Sequence, residues 1–328
     1  MSTDTGATAA PIALTSGEPA GIGPEITLGA WQALKDELTF FLIGDPTHLP
    51  EGAPVVPISA PGEAHAAMAR GVPVLARRFG APRAPGRPNK RHAPHIARSI
   101  REAVALVQAG TARAICTNPI HKKALQEGTD FRYPGHTEFL ADLAGGRDVV
   151  MMLACEALRV VPATIHIPLS EVPTALTPDL LERTIRITHN ALKEQGISTP
   201  RLAVAGLNPH AGEGGAMGRE ELDWMNDLVA RLASEGLALT GPHPADTLFH
   251  PAARARYDVA ICTYHDQALI PIKTLDFAGG VNVTLGLGFT RTSPDHGTAF
   301  DIAGTGAADP SSLIAALRMA RDMSEGPA

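Results

Sequence analysis

Residues 201–221 read RLAVAGLNPHAGEGGAMGREE. The apolar run Arg201 to Leu207 stops at Asn208-Pro209-His210. Gly212, Gly214, Gly215 and Gly218 then fall within seven residues, and REELDWMNDLVARLASEG resumes with helical spacing. Strand, glycine-rich turn and helix in succession are the repeating unit of an α/β chain. The turn itself admits two readings. One is ordinary loop punctuation with a solvated histidine. The other is a site where backbone approaches a ligand closely while His210 grips something.

The same alternation extends both ways along the chain. PIALTSG reads as a strand and GIGPEITLGAWQAL as a helix, with Pro24 in its first turn and Ile26, Ala30 and Leu34 on one face. TFFLIGD is a second strand, and residues 50–90, rich in proline and glycine, read as irregular with short strands. HIARSIREAVALVQAG carries the stripe Ile96, Ile100, Val104 and Val107 and stops at Gly110. ARAICT, VVMMLAC, ALRVVPATIHIP, YDVAICTYH and VNVTLGL read as strands. Residues 177–196 form a helix capped by Thr177, opened by Pro178 and ended by Gly196. The helix after Arg219 turns Leu222, Met225, Val229 and Leu232 inward, and DPSSLIAALRMARDM forms a last helix capped by Asp309. Alternating elements of this kind predict an α/β protein with a mostly parallel sheet.

Composition narrows the function. The 328 residues are 44% hydrophobic and 19% charged, enough for about two domains. Net charge is −6, and the densest basic stretch, Arg83 to Arg101, is broken by prolines and histidines, so no nucleic-acid partner is expected. No run approaches the ~20 apolar residues of a membrane helix, and MSTDTGATAAP lacks the regions of a signal peptide. Three cysteines, Cys116, Cys155 and Cys262, lie in or beside apolar runs without CxxC spacing. They predict buried reduced thiols and a cytoplasmic location.

Thirteen histidines are present, and three occupy matching places. His166 lies late in an apolar strand, His210 follows RLAVAGLNP, and His265 follows DVAICTY. Ligands of parallel sheets collect at the carboxyl ends of strands, so these imidazoles are candidate ligands for a divalent metal with open positions left for substrate. Each also has a plain reading, as a core residue for His166 or a solvated one for His210 and His265. Imidazole-only ligation suits Zn²⁺, Co²⁺ or Ni²⁺ better than a hard ion such as Mg²⁺.

Candidate anion-binding groups are His136 and Thr137, at the start of the helix in GHTEF, together with Lys273, Asn282 and Arg291, the last a possible bidentate clamp. Thr137 as a simple N-cap, and Arg291 in a surface salt bridge, are the plain alternatives. GEPAGIGPEI follows a strand and opens a helix, yet Ile26 stands where a dinucleotide fingerprint needs its third glycine. The remaining nucleotide candidate is the glycine-rich turn His296, Gly297, Thr298 and Ala299 with the glycines that follow.

Taken together, GEPAGIGPE, PGHTEFLA, GLNPHAGEGGAMGREE, GPHPADTLF, YHDQALIPIK and GVNVTLGLGFTRTSPDHGTAFDIAG resemble the 4-hydroxythreonine-4-phosphate dehydrogenase family of vitamin B6 synthesis, from about Pro11 to Ala320. TNPIHKKAL departs from the commoner glycine-proline form of its block. The resemblance implies a two-domain α/β/α fold like isocitrate and isopropylmalate dehydrogenases. The domain limits expected are 1–125 plus 290–328 for a discontinuous first domain, and 126–289 for a second with the metal site and dimer contacts. It implies a homodimer with a shared active site and a small phosphorylated substrate. It places the metal on His166, His210 and His265, and substrate on His136, Thr137, Lys273, Asn282 and Arg291. HGTAFDIAG resembles the nucleotide loop for NAD or NADP. The metal implied is divalent, Zn²⁺ first, with Co²⁺ or Mg²⁺ also admitted. Asp246 and Asp266 are the candidates for proton transfer or for orienting a metal-bound histidine. The implied reaction oxidises 4-phosphooxy-L-threonine, and the β-keto acid formed loses CO₂. Two other readings stand beside it. One is a related dehydrogenase of threonate or erythronate 4-phosphate, or of an aromatic cis-diol acid. The other is a non-catalytic metal or nucleotide binder.

Overall fold

The computed structural model describes residues 9–325. Among them are twelve strands. They are β1 Ile12–Thr15, β2 Phe40–Gly44, β3 Val55–Ile58, β4 Val72–Ala76, β5 Ala114–Thr117 and β6 Val150–Cys155. They continue with β7 Leu158–Pro162, β8 Arg201–Ala205, β9 Ala238–His243, β10 Val259–Cys262, β11 Val281–Leu285 and β12 Thr290–Pro294. The chain divides into two compact units, one reaching to Gly146 and resuming with Phe289–Ser324, the other Arg147–Gly288.

In the first unit the strand order is β3-β4-β2-β1-β5-β12, and every neighbouring pair is parallel. β1 and β5 are buried along their whole length, which is why they read as unbroken apolar runs. The helix Ala93–Gln108 lays Ile96, Ile100 and Val104 into this core, each under 4% exposed and each contributing about 2 kcal/mol of burial. Gly110, at φ +71°, ends it in the left-handed conformation a side chain resists.

In the second unit the order is β11-β6-β7-β10-β8-β9. β6 is antiparallel to β11 and β7, and the rest are parallel. The helix Pro178–Glu194 starts where Thr177 Oγ1 accepts the Leu180 N–H at 3.2 Å, and Gly196 at φ +93° follows its end. Cys155 and Cys262 are buried free thiols here, as Cys116 is in the first unit. Burial pushes the Cys116 thiol up to about 12 and Cys262 higher still, so neither is a nucleophile at neutral pH. No helix among the described residues is long and apolar enough to cross a membrane.

Two local features differ from the sequence pattern. Met225, Val229 and Leu232 are buried, but Leu222 is 48% exposed and Glu221 takes the inward place at 3%. The turn Glu221–Met225 is π-helical, and its wider turn rotates residue 222 off the apolar face. YDVAICTYH is not a strand to its end either: β10 stops at Cys262. His265–Leu275 is a helix that carries Pro271 inside it, where the ring removes one backbone donor.

Candidate active site

The glycine-rich turn after β8 folds back on itself. His210, Ala211, Gly212, Glu213 and Gly214 all have positive φ, between 41° and 79°, and so trace a left-handed turn. Such backbone costs about 1–2 kcal/mol per non-glycine residue. It is held by the inward Glu221 carboxylate, which accepts from Asn208 N–H at 2.8 Å and from Asn208 Nδ2 at 2.9 Å. A Cβ on Gly212 would lie 2.8 Å from Glu221 Oε2, and one on Gly218 would lie 2.3 Å from the Asn208 amide. These two glycines therefore let the loop close on its own carboxylate, and the loop presents His210 outward, exposed.

His166 is not in a strand. β7 ends at Pro162, and His166 sits four residues further, at φ +54°, in an irregular turn. Few non-glycine residues adopt this conformation, and histidine is among those that enter it more readily. His265 opens the helix His265–Leu275 after β10. The two rings are 5.6 Å apart between centroids. They line an open cleft of about 320 Å³ with Thr164, Tyr264 and Asp266. Asp266 Oδ1 meets His265 Nδ1 at 2.7 Å. A carboxylate there fixes the proton on Nδ1 and turns Nε2 toward a ligand. Two imidazoles at this spacing suit one cation bound through nitrogen at about 2.0–2.1 Å. Among the described residues, however, no group of three or more His, Cys, Asp or Glu side chains is gathered closely enough to hold a metal. His210 thus does not join the pair within one chain. Asp246 lies exposed in a short turn after β9.

Lys273 and Asn282 also belong to the second unit. Lys273 Nζ stands 5.1 Å over the Phe277 ring, and Asn282 Oδ1 is buried without a hydrogen-bond partner among the described residues. An unpartnered buried acceptor carries a cost of about 1–3 kcal/mol that a ligand donor would relieve.

The other anion candidates stand in the first unit. Arg291 on β12 is 3% exposed and donates to Thr117 Oγ1 at 2.7 Å from the end of β5. Burial pulls its guanidinium down to about 10, still charged at neutral pH. His136 begins the helix His136–Leu143. Thr137 does not cap that helix: the N-cap is Gly135, with no side-chain hydrogen bond. Burial, with the positive charges of Arg291 and Lys122, holds His136 well below the usual histidine range, and its Nε2 is buried without a partner. This corner combines a buried cation, a neutral imidazole and uncapped helix N–H groups, as an anion site requires.

The loop after β12 carries His296, Gly297, Thr298 and Ala299, with Ala299 at φ +44°. The Thr298 carbonyl accepts from Ile22 N–H at 3.0 Å, and a Cβ on Gly21 would lie 2.6 Å from it. The first strand–helix turn, GEPAGIG, is therefore packed on this loop. Sequence reasoning missed Glu18 in that turn, which is 1% exposed. It accepts from Ala20 N–H through Oε1, while Oε2 is buried with no partner among the described residues. Burial raises its carboxyl to about 7 despite that bond. Also missed were Asn208 and Gln267, polar residues whose only sequence signal is their position two residues from a histidine, and Glu221, which stands in a charged run.

An α/β chain that lines an open cleft with two histidines and buries a guanidinium beside a neutral imidazole has the form of an enzyme. Residues 36–320 match the family described as pyridoxal phosphate biosynthetic protein PdxA, and the chain belongs to that family, an oxidoreductase family of pyridoxine biosynthesis. It is 62% identical over 315 residues to 4-hydroxythreonine-4-phosphate dehydrogenase of Ruegeria sp. (strain TM1040), covering 96% of this chain and 97% of that one. Among solved structures it resembles 4-hydroxythreonine-4-phosphate dehydrogenase from Klebsiella pneumoniae, at 37% identity and TM-score 0.86, covering 96% of this chain and 99% of the other. A terephthalate 1,2-cis-dihydrodioldehydrogenase from Burkholderia xenovorans LB400 is similar at 27% identity and TM-score 0.66, covering 97% and 99%.

Proposed function

We propose that this chain oxidises 4-phosphooxy-L-threonine to 2-amino-3-oxo-4-phosphooxybutanoate with NAD⁺ or NADP⁺ and a divalent metal, and that the product loses CO₂ to give 3-amino-2-oxopropyl phosphate. The observation that carries the reading is the His166–His265 pair beside Asp266 in an open cleft, in a chain of this family. A divalent cation, when bound, supplies the positive charge that favours loss of the substrate hydroxyl proton, and the nicotinamide accepts the hydride. His166 and His265 hold that cation, and Asp266 orients His265. His210 supplies the third imidazole from a second copy of the chain, so the active site is shared in a homodimer. In support, all the large hydrophobic side chains exposed among the described residues belong to the second unit. They are Leu169, Met217, Leu222, Ile270, Leu275 and Phe277, and a second copy would cover them.

His136, Thr137, Lys273, Asn282 and Arg291 bind the anionic and amino groups of the substrate, whose phosphate supplies binding energy that positions the reacting carbon. His296, Gly297, Thr298 and Ala299 contact the nucleotide. Asp246 or Asp266 takes the hydroxyl proton. The carbon–carbon bond to the carboxylate then breaks, and the new ketone accepts its electron pair.

The test measures NAD⁺ and NADP⁺ reduction with 4-phosphooxy-L-threonine, before and after chelation. Turnover that needs added Zn²⁺ or Co²⁺ supports the reading. Undiminished turnover after complete metal removal overturns the metal role. The likeness to a cis-dihydrodiol dehydrogenase favours one second reading, an aromatic cis-diol acid as substrate. Reduction of NAD⁺ with that acid, or with threonate or erythronate 4-phosphate, and none with 4-phosphooxy-L-threonine, would replace the substrate named here.

A further inference from the structure

Gln267 lies two residues past His265 and is 8% exposed, turned into the second unit. Its Nε2 donates to the Gly206 carbonyl at 2.7 Å, 61 residues away in sequence. Its Oε1 accepts from Thr263 N–H at 2.7 Å and from Thr263 Oγ1 at 2.9 Å. The Thr263 carbonyl in turn accepts from Thr164 Oγ1 at 2.8 Å. Thr164 lies two residues past the end of β7, and Gly206 and Thr263 follow directly on β8 and β10. They precede His166 by two residues, His210 by four and His265 by two. One buried chain of hydrogen bonds therefore spans the three strand ends from which the three histidines depart.

We propose that Gln267 is a positioning residue that sets the mutual spacing of the histidine-bearing loops. The proposal rests on reading those histidines as metal ligands. The chemistry of the side chain explains the choice. A neutral amide donates to a carbonyl at one atom and accepts from an N–H and a hydroxyl at the other. A carboxylate of the same length would face the Gly206 carbonyl with lone pairs. A leucine of similar shape would leave the Gly206 carbonyl and both Thr263 donors unpaired in the interior. Gln267 touches neither metal nor substrate, so its effect passes through where His265 stands in its own site and where His210 stands toward the site of the second copy.

The experiment titrates the full-length protein with Zn²⁺ against a competing chelator, without substrate, and in parallel follows melting of the metal-free protein. Gln267→Glu is expected to weaken Zn²⁺ binding by about 10–100-fold, the range found when groups supporting a metal ligand are altered. kcat falls with it while the KM for NAD⁺ is unchanged. Thr263→Val, which removes one bond to Oε1, weakens Zn²⁺ binding by a smaller factor, and Thr263→Ser restores it. A Gln267→Glu protein that melts earlier yet binds Zn²⁺ like wild type has lost only structure, and the positioning role falls. If Gln267→Glu does not fold, the Thr263 pair decides: wild-type Zn²⁺ affinity in Thr263→Val overturns the proposal. His265→Ala separates the two levels. If it loses Zn²⁺ while Gln267→Glu does not, only the positioning role is wrong. If it too binds Zn²⁺ normally, the ligand reading falls and this inference with it.

Discussion

The carboxyl ends of the strands in the two units handle polar groups in opposite ways. In the first unit they are shut in: Glu18 is 1% exposed, Thr117 and Asn118 are fully buried, and Arg291 is 3% exposed. In the second unit His166 and His210 are exposed and His265 with Asp266 borders an open cleft. The first arrangement fixes dipoles and a charge before any ligand arrives, at a cost in desolvation. The second leaves nitrogen lone pairs accessible, as the proposed cation would require. The first unit's ends are thus built for preorganised electrostatics and the second's for capture.

The contrast can be broken in either unit. The largest effect is expected from His265→Ala, which should lower metal-dependent kcat by about 1,000-fold or more while changing the melting free energy by less than about 0.5 kcal/mol, as for an open surface position. Steady-state kinetics beside a denaturant titration checks both halves. Arg291→Met comes next. Substrate affinity should fall by about 100-fold, since a charge-assisted contact is lost. Stability without ligand should stay level or rise by about 1–3 kcal/mol, because a buried charge has been replaced by an apolar chain of similar length. Marked destabilisation would show that the corner is structural instead.

Glu18→Gln sharpens the same point through pH. A carboxyl raised to about 7 by burial stays protonated in the fold while the unfolded chain ionises above its ordinary value of 4.5. Its contribution to stability is therefore full below pH 4.5 and is lost as pH rises through 7. The substitution should stabilise the protein by on the order of 2 kcal/mol at pH 8 and by nothing at pH 4. Melting curves at the two pH values distinguish this from a uniform effect. The smallest change is expected of Phe277→Ser, which lies 80% exposed. Protomer stability should move by less than about 0.5 kcal/mol, whereas sedimentation should show a weaker dimer if that face is covered by a second copy.

Much of the architecture was legible because local signals agreed with the global fold. Thr177, Pro178 and Gly196 bracket a helix by chemistry that acts over a few residues. Other elements were hidden for identifiable reasons. Pro271 disguises the helix after His265. β12 reads TRTSP, too polar to look buried, and its burial depends on β5 and on the helix Ser311–Ser324. Leu222 faces outward because the adjacent π-turn breaks the 3.6-residue period. At the site, the histidines stood out by their place after apolar runs. Gln267 did not, because its partner Gly206 is distant in sequence and near only in space. Nor did Glu221, an acidic residue in a charged run whose burial follows from a loop conformation that no periodicity encodes.

That loop has a consequence for chemical synthesis. Over residues 210–214 the backbone winds with the hand natural to mirror-image amino acids. A semisynthetic protein carrying D-alanine at position 211 should relieve about 1–2 kcal/mol of conformational strain. Chirality, which elsewhere favours this fold, is here resisted by a few hydrogen bonds to one carboxylate.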